Sequence, residues 1–264
     1  MGYDVVATLC GLAAWTYFLA YGRRRLPLQA HLPAPWGGVE LLILVAVFMA
    51  CLAAAGQLVR GLPPGARAGA EKPSVYVEVA ATAAANGLAA FFAVVAAARH
   101  GRLGTQALGL RARPFFKYVF FGLVGFLGVL PVMVALTHVV LRLAPLVHYE
   151  VKSQDVVKLF NEGPGGVRFA LVTFYAVLGA PLVEEVVFRG FLQGYLRRLF
   201  LARGTILLTA AAFAFFHRPI HVTLVMFFLG LILGYERERT GSLVPSITTH
   251  ILFNLHTFVA TQLA

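Results

Sequence analysis

Aspartate is almost missing from this sequence: among 264 residues only Asp4 and Asp155 occur, so no paired-aspartate site can be assembled inside its apolar runs. Charge of either sign is sparse, at 12% of residues, about half the ~25% of an ordinary soluble domain. Cysteine is limited to Cys10 and Cys51, both within apolar runs, which excludes a disulfide framework. The first run is preceded by Asp4 and lacks a basic leader, so it reads as a retained span and not as a cleaved signal peptide. No HExxH zinc motif occurs. No internal repeat stands out, which argues against a transporter built on inverted repeats around a midplane ionisable site.

What is present is apolar. Hydrophobic residues make up 59% of the chain, and several runs exceed the roughly 18 residues of a transmembrane candidate. The expectation is an all-α, polytopic transmembrane bundle of about eight hydrophobic segments. These run approximately over 5–21, 39–59, 75–98, 118–141, 167–201, 205–216, 222–235 and 243–263. In the third, Glu78 fits an interfacial position and Asn86 an interhelical hydrogen bond. In the fourth, glycines 122, 125 and 128 permit close helix packing. Between the fourth and fifth, 142–166 is the longest polar insertion, with the partly amphipathic pattern of an interfacial helix. The fifth run has 35 residues, roughly 50 Å of helix against a hydrocarbon core of about 30 Å. Gly179-Ala180-Pro181 is its natural kink. The sixth and seventh runs are short, as helices ending inside a membrane would be. The segment Tyr235-Glu236-Arg237-Glu238-Arg239 reads as a solvated, mixed-charge loop.

The net charge of +11 does not call for nucleic acid, because the basic residues cluster in short loops between apolar runs. With the amino terminus outside, the odd-numbered loops hold thirteen Lys and Arg and the even-numbered loops seven. The positive-inside rule therefore places both termini outside the cytoplasm.

The chemistry-bearing residues lie in the last third. Glu184 and Glu185 sit side by side late in the fifth run, with Arg189 four residues after the second. On a helix Glu185 and Arg189 share a face, whereas Glu184 points about 100° away. One carboxylate is thus offered an ion-pair partner and the other is left free. Such groups are costly in a bilayer, on the order of 2.5–3.5 kcal/mol each on insertion scales, and face a protein or wet interior. Two histidines join them: His217, four residues after Phe213, and His250, four residues before Asn254 on one face of the last segment. Taken singly, each of these has a bland reading, the acids as packing or ion-pairing groups and the histidines as interhelical hydrogen-bonding partners. Together, a carboxylate, two imidazoles and an amide on three segments can activate water and stabilise an oxyanion. His221 and His256 lie beside these residues and read as interfacial or packing histidines.

The ordered patterns EExxxR (Glu184, Glu185, Arg189), FxxxH (Phe213, His217) and HxxxN (His250, Asn254) resemble the CAAX-protease and bacteriocin-processing family of intramembrane proteases, also called Abi. Phe188-Arg189-Gly190-Phe191-Leu192 and Thr240-Gly241-Ser242-Leu243 extend the likeness, which covers about residues 167–258. It implies a catalytic core at 167–264 and, at 1–166, N-terminal transmembrane helices with an amphipathic connecting segment, all in one membrane domain. It further implies that Glu184 is the catalytic glutamate, that His217 helps it activate water, and that His250 and Asn254 polarise the scissile carbonyl. Glu185, Arg189 and Phe213 become supporting residues. Members of the family have been discussed as metal-independent and as metal-dependent enzymes, and Glu/His/His/Asn suits either account. The absence of a common zinc motif favours no metal and no other cofactor, with a divalent ion left open. A serine mechanism is disfavoured, since neither Ser242 nor Ser246 has a GxSG context.

The implied function is intramembrane endopeptidase, with the lipid bilayer and a membrane-anchored protein or peptide as partners and no nucleic acid. The Arg-over-Lys, Ala- and Gly-rich composition points to a bacterial cytoplasmic (inner) membrane. The alternative from another class is a non-proteolytic membrane scaffold or bacteriocin-immunity-type protein that binds a peptide without cutting it.

Overall fold

The computed structural model describes residues 2–17, 34–61, 73–151, 166–217 and 219–263, and among these every extended element is helical. The helices are α1 Gly2–Tyr17, α2 Gly38–Gly61, α3 Pro73–Ala98, α4 Gly101–Leu108 and α5 Phe115–Leu143. They continue as α6 Gly166–Leu196, α7 Ala202–Phe215, α8 Ile220–Thr240 and α9 Val244–Leu263. All eight expected hydrophobic segments are helices, and five of them are long and apolar enough to cross a membrane. Large apolar side chains such as Leu42, Phe91, Phe116 and Leu171 face outward from them, as a bundle dissolved in lipid requires. The chain is an integral, multi-pass membrane protein of the all-α class.

Helices α5, α8 and α9 pack together, α1 lies along α5, α2 pairs with α3, and α7 forms a hairpin with α8. Helix α6 runs between α3 on one side and α9 on the other. The α5–α9 approach depends on the glycines seen in the sequence. A methyl on Gly122 would stand 2.5 Å from the Pro245 carbonyl, and one on Gly125 would overlap the Glu236 carboxyl. Without those Cβ atoms the helices close far enough for Thr249 to donate to the Gly122 carbonyl at 2.7 Å. Helix α8 ends at Gly241, which takes the left-handed conformation (φ 66°) that terminates a helix without a Cβ penalty. The next residues are then tied across to the α4–α5 connection: Ser242 donates to the Arg111 carbonyl, and the Leu243 amide donates to the Gly109 carbonyl at 3.0 Å.

Several expectations change. The seventh run is not short: α8 continues through the charged residues to Thr240, for 21 residues. The segment taken for a solvated loop is therefore helix, and Glu236, Arg237 and Glu238 are buried. Their partners explain why. Arg237 donates to the carbonyls of Ala107 and Arg189, at 2.6 and 3.3 Å. Glu238 accepts from Gln193 at 2.9 Å and pairs with Arg197 at 3.2 Å. The charges knit α4, α6 and α8 together at one end of the bundle. The basic loop after α3 also contains a helix, α4. Of the interfacial helix expected over 142–166, residues 152–165 lie outside the described residues, as do Arg218 and the basic run at 23–25.

Candidate active site

Helix α6 departs from α-geometry twice, and the acidic pair sits between the departures. Tyr175–Gly179 and Val186–Leu192 are π turns, separated by six α-helical residues, Ala180–Glu185. In the first the Ala180 amide reaches back five residues to the Tyr175 carbonyl, and in the second the Gln193 amide does the same to Phe188. Turns of this kind are rare and concentrate at functional sites. Pro181 falls in the first α turn after a π turn, where the widened backbone accommodates the pyrrolidine ring.

Glu185 is fully buried and bonded to Arg189 (Oε1 to Nη1, 2.9 Å), the ion pair that the i, i+4 spacing implies. The same oxygen lies 3.1 Å from His250 Nδ1, a contact with α9 that the spacing does not reveal. The other ring nitrogen, Nε2, is 3.8 Å from Glu184. Glu184 keeps 16% of its side chain exposed against none for Glu185. One imidazole thus stands between two carboxylates, one sealed and counter-charged by arginine, the other partly exposed.

Phe213 of α7 is the apolar centre of the cluster. Its buried ring lies 4.2 Å from the Arg189 guanidinium carbon, within cation–π range. It also lies 4.5 Å from the ring of His217 and meets that of His250 edge-on at 5.5 Å. His217 stands just past the end of α7, its Nδ1 on the Phe213 carbonyl at 2.8 Å. A neutral ring donates there through Nδ1–H and presents Nε2 as an acceptor.

Asn254 is placed differently. It lies one turn beyond His250, and its amide donates to the Ala176 carbonyl in the first π turn at 2.8 Å. The cluster therefore joins Glu184, Glu185, Arg189, Phe213, His217 and His250 directly, while Asn254 grips the backbone upstream of the acids. Tyr175 in that turn accepts from Asn86 of α3 at 3.3 Å, the interhelical bond foreseen for Asn86. Beside the cluster, Ser246, whose hydroxyl also neighbours Glu185, donates to the Leu243 carbonyl, and Ser242, as above, to that of Arg111. His221 meets the Tyr149 hydroxyl at 3.1 Å and His256 packs against Phe126.

Among the described residues, no group of three or more His, Cys, Asp and Glu is disposed to hold a metal ion. Glu185 already has Arg189 as its countercharge, so a cation here would meet Glu184 and His250 Nε2 as the donors facing one another.

Residues 166–256 match the family model described as type II CAAX prenyl endopeptidase Rce1-like. These residues resemble a CAAX-protease segment. The matched stretch comprises 91 of the 264 residues, from the start of α6 to two residues beyond Asn254, and holds every member of the cluster. No curated protein and no solved structure matches the chain. What the segment resembles is thus a family of CAAX-type endopeptidases, which are peptide hydrolases.

Proposed function

We propose that the protein hydrolyses a peptide bond in a membrane-anchored protein or peptide, with Glu184 as the general base that activates water. The observation that supports this most is the division of His250 between two carboxylates. Glu185 accepts from Nδ1 and fixes the ring, so that Nε2 is held toward Glu184. A carboxylate that orients an imidazole from one side leaves the opposite nitrogen positioned for chemistry, the logic of hydrolytic triads on unrelated folds.

Glu184 takes a proton from water as its oxygen attacks the scissile carbonyl carbon. The carbonyl electron pair moves onto oxygen. His250, held at Nδ1 by Glu185, turns Nε2 toward Glu184 and the carbonyl under attack. Collapse breaks the C–N bond, and the leaving nitrogen takes the proton from Glu184. His217, its Nδ1 committed to the Phe213 carbonyl, offers Nε2 to the same water. Hydrogen bonds aimed at developing charge in a water-poor site are worth more than in water, which favours this chemistry inside a bundle. No step here calls for a metal. The lipid bilayer is the working medium, and a bacterial cytoplasmic membrane fits the composition.

The test is cleavage of candidate membrane-anchored tails by the reconstituted protein. Glu184→Gln keeps the shape and removes the base, so the rate falls by about 10²–10⁴-fold, the usual worth of a general base. Chelators leave the wild-type rate unchanged. Undiminished cleavage by the Gln variant would overturn the assignment. If the wild type binds the tails without cutting any, the scaffold reading takes its place.

A further inference from the structure

The first π turn creates a backbone vacancy. In its register each amide reaches five residues back, as Ala180 does to Tyr175. The next pair is the Pro181 nitrogen and the Ala176 carbonyl, and proline has no N–H to give. A carbonyl so placed in a membrane bundle needs a donor from elsewhere. The donor present is Asn254, whose Nδ2 lies 2.8 Å from the Ala176 oxygen. The amide's orientation follows from chemistry, because a carbonyl oxygen only accepts.

We propose that Asn254 is a positioning residue that substitutes for the N–H missing at Pro181, locking the π turn that aims Glu184 at His250. The bond joins α9 to α6 four residues before the start of the Ala180–Glu185 segment that carries the acids. Because His250 and Asn254 are four apart on α9, one helix face contacts α6 twice: His250 at the acids and Asn254 at the turn before them. Of the two N–H groups on Nδ2, one is committed to Ala176, leaving one for any contact with substrate. This deepens the proposed function and rests on it for the catalytic readout, but the brace itself is testable without catalysis.

The experiment is a double-mutant cycle. Pro181→Ala restores a backbone N–H opposite the Ala176 carbonyl, so the asparagine becomes partly redundant. Backbone hydrogen exchange over 177–186, in membrane-reconstituted protein, should quicken about tenfold in Asn254→Ala, the scale of one lost hydrogen bond. In the Pro181→Ala background the same change should quicken it less than threefold. Pro181→Ser, which also supplies an N–H, should behave as the alanine does and serves if the alanine variant does not fold. In the cleavage assay, kcat of the double variant should exceed that of Asn254→Ala several-fold, with KM little changed. Equal effects of Asn254→Ala on exchange in both backgrounds, or no effect in either, would overturn the proposal. If exchange behaves as expected while no variant cleaves any tail, the brace stands and the protease mechanism fails.

Discussion

His250 offers one ring nitrogen to each of two adjacent glutamates, and burial decides which contact is the tighter. Glu185, sealed from water, already shares an oxygen with Arg189 at 2.9 Å and holds His250 at 3.1 Å, while Glu184 stands at 3.8 Å. The pair Glu185–Arg189 was legible in the sequence because i, i+4 spacing is a property of any helix. The imidazole's link to Glu185 was not, because it joins residues 65 apart and depends on how α9 meets α6. A buried charge pair is sensitive to losing one partner and tolerant of losing both. Arg189→Met should therefore destabilise the fold by about 3–5 kcal/mol, measured by thermal unfolding in detergent. Adding Glu185→Leu should recover most of that loss. Cleavage should not recover with it, since His250 then has no carboxylate at Nδ1. Return of activity together with stability would show that Glu185 only balances charge.

Within the elements, the described parts of eight hydrophobic runs became helices, and Gly122 and Gly125 of α5 met α8 and α9 as close packing at small residues suggested. Hydropathy and small-residue patterns survive because they record what each helix touches, lipid or a close neighbour. Two features left no such mark. A π turn needs one residue more than an α turn but no particular composition, so 175–179 and 186–192 look like ordinary helix until backbone geometry is seen. The charged stretch 235–239 looked solvated because its partners, Ala107, Gln193 and Arg197, are distant in sequence, and burial of charge is decided by tertiary pairing. Thr249 and Glu236 give this level its test. Thr249 has one hydroxyl hydrogen yet lies 2.7 Å from the Gly122 carbonyl and 2.8 Å from Glu236 Oε1, against the backbone of Gly125. Gly125→Ala would place a methyl into that contact. Overpacking of this kind costs about 1–3 kcal/mol, and the shift of Thr249 would carry to His250 beside it. Both the melting temperature and kcat should fall, whereas Gly87→Ala, where a Cβ meets nothing within 4 Å, should change neither. Equal behaviour of the two variants would mean that α5 and α9 do not approach as closely as they do here.

Across the whole molecule, the loops that the charge count grouped together do meet in space. The Arg197 end of α6 pairs with Glu238 near the end of α8, and Arg237 reaches Ala107 of α4. Trp36, ahead of α2, donates to the Phe191 carbonyl, while Arg198 donates to that of Trp36. The described parts of these odd-numbered connections thus lie together at one end of the bundle. The positive-inside rule predicts that this end faces the cytoplasm. Depth is independent of orientation: Glu185 is 12 residues from Arg197, about 18 Å along the helix, which predicts a site near the middle of a core about 30 Å thick. Orientation is measurable with single cysteines in a variant lacking Cys10 and Cys51. Leu199, 59% exposed after α6, should be labelled by an impermeant thiol reagent only once the cytoplasmic face is opened. Leu146, 75% exposed after α5, should be labelled from the outside of intact cells. The reverse pattern would invert the molecule while keeping the site at the same depth, and would place the polar end, with its buried Arg237 and Glu238, on the outer side. Labelling of both from one side would contradict the shared-end arrangement itself, since α6 and α5 could not then run in opposite directions through the bilayer.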